Sequence, residues 1–139
     1  MVSKVTLYLL KLGHLTACLL LTDFTRLRTA MGGQNSTDEF VRLFMVPGYT
    51  HIGGYAAYRV DNFYDYIVDW VEHGKAPEYL IGGKYSGPYE TTKDDVLFKR
   101  KHFPYPYTEG LIPGADPNLA ESWERKGPIE ETFYSYDNL

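Results

Sequence analysis

A chain of 139 residues, 44% hydrophobic and 23% charged, has the length and composition of one globular domain with a hydrophobic core. Its formal net charge of −4 provides no basic surface of the kind that nucleic-acid binding requires, which argues against that class of partner. The one cysteine, Cys18, excludes an intrachain disulfide and a cysteine-based zinc site.

The first 22 residues form an apolar N-terminal segment. Lys4 followed by an apolar stretch is typical of a signal peptide, but Lys11 and His14 interrupt the stretch and no clear cleavage site follows. The stretch is also short and interrupted for a membrane span. A weak signal or anchor, a buried core helix and a segment outside the family resemblance described below remain open, and the last two are favoured.

A first helix is predicted to begin next. Thr22 or Asp23 can cap it, because their side-chain oxygens accept the free amide protons of a first turn, and the helix runs through Met31. Gly32 and Gly33 end it. Asp23 is the nearest candidate for a catalytic acid, and a helix cap is its better interpretation.

The central motif is an apolar run, residues 39–46, followed by Pro47 and Gly48. A run of this length with this ending predicts a buried strand. The loop behind it carries His51 and then two glycines, Gly53 and Gly54. Open α/β sheets keep their chemistry just past the ends of their strands, so His51 is the candidate catalytic residue. A surface or hydrogen-bonded histidine is the alternative.

The next segment, residues 54–61, is predicted to be a solvated loop. A second helix then runs from a cap at Asp61 or Asn62 to His73, and Gly74 ends it. His73, in the last turn, is interpreted as structural because a helix dipole favours a cation there. The predicted buried stripe of this helix is Phe63, Ile67, Val68 and Val71.

The C-terminal half contains weaker signals. A short strand, residues 79–81, is predicted to break at two glycines, and the basic cluster of residues 99–102 to be a solvated face. Residues 103–107 are predicted to be extended and polyproline-like. A short helix capped by Asp116 and ended by Gly127 is predicted in a C-terminal tail.

Several of these blocks, taken together in their order and spacing, resemble the tannase and feruloyl esterase family: residues 26–33, 40–48 with His51, 68–77 and 104–106. The resemblance implies an α/β fold with a partial α/β-hydrolase-like sheet, flanking helices and an irregular tail. It implies a carboxylic ester hydrolase (serine esterase) that acts on a small aromatic ester, is secreted, and uses His51 as general base of a Ser-Asp-His triad. The corresponding division is residues 1–22, 23–107 and 108–139.

The chain departs from the family pattern at instructive positions. Ile52 and Phe103 stand where the family tends to have cysteines, and residues 1–21 show no match to the strand and loop that carry the catalytic aspartate. No Gly-x-Ser-x-Gly elbow occurs in the sequence. The resemblance therefore implies that nucleophile and acid lie upstream of this region, and we expect a truncated chain that does not hydrolyse esters alone.

Two other functions remain open. Aromatic residues such as Tyr49, Tyr55, Tyr58 and Tyr85 favour a non-catalytic module that binds sugar or phenolic rings. A fragment with an exposed sheet edge is predicted to pair or aggregate. No cofactor or metal is expected, since the acidic pairs at residues 94–95 and 130–131 lack the spacing of a calcium loop.

Overall fold

The computed structural model describes residues 6–10, 14–47, 58–86 and 96–129. These ranges contain three α-helices: α1 (His14–Ala30), α2 (Gln34–Asp38) and α3 (Phe63–His73). They also contain seven strands: β1 (Thr6–Leu10), β2 (Val41–Met45), β3 (Tyr58–Val60), β4 (Leu80–Tyr85), β5 (Val96–His102), β6 (Tyr107–Leu111) and β7 (Trp123–Pro128).

Strands β1 and β2 form a parallel pair joined by α1. The register places Thr6 opposite Val41 and Leu10 opposite Met45. Parallel strands need a crossover of this kind, and their carboxyl ends meet at one edge of the sheet. The chain therefore leaves β1 and β2 at the same edge, which is the position where open α/β folds hold their active sites.

Strand β2 is buried on both faces, which confirms the buried strand predicted from the sequence. One face packs in a cluster that comprises Phe24, Val41, Leu43 and Tyr105. The other face packs in a cluster that comprises Phe44, Val46, Tyr58 and Leu80. Phe44 and Val46 are fully buried. Because the side chains of a strand alternate between its two faces, this one apolar run supplies residues to both clusters.

Helix α1 begins earlier than predicted. It starts at His14, so Thr22 and Asp23 lie inside it and the expected cap at either residue is wrong. Asp23 is an exposed side chain paired with Arg26 one turn on, at 3.6 Å. The predicted end is confirmed: Gly32 adopts a left-handed φ of 84°, which glycine reaches without strain.

The N-terminal segment consists of β1 and the first half of α1 in the residues that the structure describes. It is thus not one buried helix, because it contains a strand as well as part of a helix, and α1 runs without a break across residue 22. The division at residue 22 itself stays a prediction. Within the described ranges, no helix is both long enough and apolar enough to cross a membrane.

Helix α3 has the predicted bounds but a different buried face. Trp70 is 6% exposed, whereas Val68 and Val71 are 44% and 52% exposed, so the predicted stripe is wrong at these two positions. The large indole contributes more buried area than either valine. Asn62, with a φ of 47°, precedes the helix without a capping side-chain hydrogen bond, and Gly74 ends it as predicted.

The middle sheet is antiparallel, with the order β3-β4-β5. Strand β4 continues through Gly82 and Gly83, so the predicted break at the glycines is wrong. A Cβ atom at Gly83 would lie 2.8 Å from the carbonyl oxygen of Phe98, which shows that the glycines admit close neighbours instead of ending the strand.

The C-terminal part is a hairpin, not a tail with a helix. Strands β6 and β7 pair antiparallel, and the helix predicted between Asp116 and Gly127 is reduced to a 3-10 turn, Ala120–Ser122. The Asp116 carboxylate accepts a hydrogen bond from the backbone nitrogen of Asn118 at 2.9 Å, so it closes a turn where a helix cap was expected.

The segment before the hairpin turns instead of extending. The backbone nitrogen of Tyr107 donates to the carbonyl oxygen of Pro104 at 3.0 Å, and the peptide between Tyr105 and Pro106 is cis. The expected polyproline-like conformation is therefore wrong. The segment does lie on the body of the domain, because the backbone nitrogen of Tyr105 donates to the carbonyl oxygen of Leu43 in β2 at 2.7 Å.

Candidate active-site loop and its support

The predicted loop that carries His51 falls between β2 and β3 in the chain. Residues 48–57, and His51 with them, lie outside the described residues, so the assignment of His51 stays a prediction. Both flanks of the loop are described: Val46 is fully buried at one end and Tyr58 is 7% exposed at the other. Both side chains belong to the cluster that also contains Phe44 and Leu80, so the two flanks are fixed against each other.

Tyr58 is held by a buried histidine. Its hydroxyl oxygen lies 2.6 Å from Nε2 of His102, which is 1% exposed, and the two rings meet edge to face. Burial raises the pKa of Tyr58, so the hydroxyl keeps its proton at neutral pH. The hydroxyl and Nε2 share this hydrogen bond, which leaves Nδ1 as the ring nitrogen for a second contact.

The other side of the His102 ring faces a carboxylate. Nδ1 lies 3.6 Å from Oε1 of Glu109 on β6, a distance that allows electrostatic attraction but is too long for a hydrogen bond. Burial acts to raise the pKa of Glu109, but its interaction with His102, a backbone hydrogen bond and the charge of Arg100 outweigh it, and the pKa lies below its ordinary value. Tyr58, His102 and Glu109 therefore link β3, β5 and β6.

This histidine is a support and not a general base. Its Nε2 is occupied by Tyr58, and its ring is closed to solvent. Gly82 of β4 completes the enclosure: a Cβ there would lie 2.9 Å from His102 Nε2 and equally close to the Tyr58 ring. The arrangement has the order of a hydroxyl, an imidazole and a carboxylate, but no substrate reaches it.

A second polar cluster holds the end of β3. Asp61 accepts hydrogen bonds from the hydroxyl of Tyr85 and, at 2.6 Å, from Nζ of Lys99. The guanidinium of Arg59 lies 4.3 Å from the centre of the Tyr85 ring, and burial raises the pKa of Tyr85. These contacts join β3, β4 and β5 just before α3 begins.

The two clusters correct two expectations. Tyr58 and Tyr85 are buried and bonded, so they are not available to stack on sugar or phenolic rings, and residues 54–61 are not all loop because β3 begins at Tyr58. Tyr49 and Tyr55 lie outside the described residues. The binding function therefore has no support from the two tyrosines that the structure describes.

The interpretation of the basic cluster as a solvated face is also wrong. Lys99 pairs with Asp61, Arg100 lies 4.4 Å from the Trp123 ring centre, and His102 is buried. Strand alternation was the available signal, because residues 98, 100 and 102 share one face of β5. The charges of residues 99–102, considered without this alternation, suggested a solvated face instead.

The described serines do not form a nucleophile elbow. Ser36 lies within α2, Ser86 follows β4 and Ser122 ends the 3-10 turn, whereas an elbow serine stands between a strand and a helix. The described part of the chain also contains no group of three histidine, cysteine, aspartate or glutamate side chains placed to hold a metal ion.

A parallel β-α-β unit whose second strand is buried on both faces defines a protein of the α/β class whose architecture matches part of an α/β-hydrolase domain. A family model described as tannase and feruloyl esterase matches residues 19–124, and the chain belongs to this family. The fold class inferred from the sequence is thereby confirmed.

Solved structures show the same fold. An esterase from Aspergillus oryzae superimposes with a TM-score of 0.64 at 24% identity, over 77% of this chain and 24% of that one. Feruloyl esterase B from Aspergillus oryzae superimposes with a TM-score of 0.61 at 22% identity, over 77% of this chain and 23% of that one.

Curated relatives are more similar in sequence. Feruloyl esterase B from Aspergillus niger is 36% identical over 103 residues, which are 62% of this chain and 18% of the relative. A probable feruloyl esterase B from Emericella nidulans is 35% identical over 116 residues, which are 73% of this chain and 21% of the relative. The chain thus spans about one fifth of the length of the curated relatives it matches.

Proposed function

We propose that this chain is the histidine-bearing part of a carboxylic ester hydrolase, with His51 as the general base. The observation that carries the proposal is the fixing of the 48–57 loop at both flanks, by Val46 and Tyr58 in one buried cluster. The parallel pairing of β1 and β2 supports it, since this loop leaves the carboxyl edge of the sheet.

The chemistry requires a nucleophile that His51 can activate. In a serine esterase the histidine accepts the hydroxyl proton as the oxygen attacks the ester carbonyl, and it then returns the proton to the departing alcohol. The sequence contains no elbow serine, so the nucleophile and the acid that orients the imidazole are supplied to His51 from outside these 139 residues.

The substrate class is a small aromatic ester, such as an ester of ferulic acid. Support comes from the relatives, which are named feruloyl esterases, and from membership of the family. The 139-residue chain alone is expected to show no turnover of methyl ferulate or of an aryl ester. Turnover that is lost in His51→Ala would contradict this, because it would require a nucleophile within the chain.

A chimera tests the role of His51 directly. The aligned segment of Aspergillus niger feruloyl esterase B is replaced by this chain, and kcat for methyl ferulate is measured. We expect activity, and a loss of about 10⁴-fold in His51→Ala, the size of effect seen when a triad member is removed.

His73→Ala is the matched control, because His73 is an exposed histidine whose described contact is Asp69 on the same helix. It is expected to leave kcat within about twofold, as surface substitutions do. A folded chimera without turnover would contradict the proposal, and so would activity that survives His51→Ala.

A further inference from the structure

A groove lies beside the amino end of β2. Its volume is about 500 Å³, and it lies between α2, the start of β2, the end of β5 and the hairpin of β6 and β7. Arg42, near the amino end of β2, lines it, whereas the 48–57 loop follows the carboxyl end. The groove is therefore not part of the proposed catalytic edge.

The groove is walled by aromatic rings that are held in place. Tyr79 and Phe103 pack edge to face with ring centres 6.0 Å apart. Trp123 donates from its indole nitrogen to the carbonyl oxygen of Pro117 at 3.2 Å, and the guanidinium of Arg100 lies over its ring. Rings fixed by such contacts lose little further freedom when a ligand packs against them.

Hydrogen-bond donors line the same groove. Nζ of Lys101 lies 4.9 Å from the centre of the Tyr79 ring, and the guanidinium of Arg125 lies 4.7 Å from that of Tyr107. Neither cation forms an ion pair within the described ranges. Their N–H groups are thus available to a ligand that carries acceptor oxygens.

Among the described residues, two available hydrogen-bond acceptor side chains line the groove, the same number as the two available donor side chains. Glu78 and Glu121 line it, and in the described part of the chain neither carboxylate forms an ion pair. The remaining charged groups are engaged: Asp38 accepts from Gln34, Glu124 binds Lys126 and Arg42 donates to the carbonyl oxygen of Pro77, each at 2.6 Å. The described charged side chains of the groove that have no such partner are therefore two positive and two negative.

We propose that this groove binds a neutral oligosaccharide. Sugar rings present apolar C–H faces that pack on aromatic rings, and hydroxyl groups that both donate and accept hydrogen bonds, which matches the rings and the paired donors and acceptors. A balanced groove gives no net attraction to an anion such as a phenolic acid. Its volume lies within the ordinary range for small-molecule sites.

Calorimetric titration of the 139-residue chain tests the proposal without any turnover, so its outcome is independent of the ester hydrolysis proposed above. The probes are xylohexaose, cellohexaose and mannohexaose, with sodium ferulate as the anionic aromatic comparison. We expect saturable binding of at least one hexaose. Tyr79→Ala is expected to weaken it about tenfold, since one stacked ring contributes on the order of that factor.

Matched controls separate the groove from the rest of the surface. Tyr64→Ala removes a tyrosine that is 81% exposed on α3, and the affinity is expected to stay unchanged. If Tyr79→Ala fails to fold, Glu121→Ala takes its place, with an expected loss of about fivefold or more because a charged acceptor disappears. Glu72→Ala on α3 is its control.

Three results would overturn the proposal. The first is the absence of binding by every hexaose at millimolar concentration, whether or not ferulate binds. The second is hexaose binding that both Tyr79→Ala and Glu121→Ala leave unchanged, which would place the sugar elsewhere. The third is self-association of the chain in sedimentation that Tyr79→Ala abolishes, which would make the groove a contact between two copies.

Discussion

The hydroxyl of Tyr58 and Nε2 of His102 share a hydrogen bond of 2.6 Å, and this contact joins β3, the strand after residues 48–57, to the end of β5. The two residues are separated by 44 positions in the sequence. Because Tyr58 also packs against Val46, the contact fixes one flank of the loop and indirectly the other. The contribution of this hydrogen bond to the free energy of unfolding can be measured.

Replacing Tyr58 with Phe is expected to destabilise the chain by about 1–3 kcal/mol, because a buried imidazole nitrogen loses its hydrogen-bond donor. The measurement is the midpoint of urea unfolding. Tyr64→Phe removes the same hydroxyl from an exposed ring and is expected to change the free energy of unfolding by less than about 0.5 kcal/mol. Equal midpoints for the two variants would contradict the assignment.

Gly82→Ala is expected to cost about 1–3 kcal/mol of unfolding free energy, since the added Cβ would lie 2.9 Å from both His102 and Tyr58 and would push them apart. Thermal unfolding followed by circular dichroism measures the loss. Gly127→Ala is the control, because nothing lies within 4 Å of a Cβ at that position. A Gly82→Ala variant as stable as Gly127→Ala would show that the enclosure is looser than described.

Acid is expected to destabilise the chain partly through Glu109. The pKa of Glu109 in the folded chain lies below its ordinary value of 4.5, so its stabilisation is fully present above pH 4.5 and is lost as the pH falls through the lower folded value. Asp38 acts in the opposite sense, because burial raises its pKa.

The comparison of wild type with Glu109→Gln isolates the contribution of the Glu109 charge from that of Asp38. Unfolding free energies measured from about pH 6 down to about pH 3 are expected to converge for the two proteins as the pH falls. A constant difference across this interval would mean that Glu109 stabilises the fold through something other than its charge.

Arg42→Met is expected to cost about 1–3 kcal/mol, because Nη1 of Arg42 donates to the carbonyl oxygen of Pro77 at 2.6 Å and the guanidinium lies over the Trp70 ring. Arg26→Met removes an exposed guanidinium from α1 and is expected to have little effect. Guanidinium chloride unfolding distinguishes them, and identical curves would argue that Arg42 adds no net stability.

The sequence predicted those elements that depend on residues close together in the chain. The apolar run at residues 39–46 forms β2, and the glycines at 32 and 74 end their helices, because a left-handed residue stops a helix wherever it occurs. The bounds of α3 come from the same kind of signal. The role of His51 is inferred from its position after β2 and from family resemblance, and it remains a proposal.

Long-range pairing decided the elements that local signals missed. Residues 107–111 become strand because residues 123–128 pair with them, and that pairing overrides the helix suggested by Asp116 and Pro117. Likewise, β4 continues through its glycines because Tyr58 and His102 occupy the space beside Gly82. Such contacts join positions far apart in the chain, so no window of sequence contains them.

The sequence by itself determined the family and the buried strand, and it predicted the loop that carries His51, since apolar periodicity, turn residues and motif order are written locally. Only the tertiary structure decided that His102 is a buried support of that loop and that Trp70 faces inward from α3. It also assembled Tyr79, Phe103 and Trp123 into one groove. The physical reason is that burial and hydrogen bonding depend on which distant side chains share a space, and folding alone brings them together.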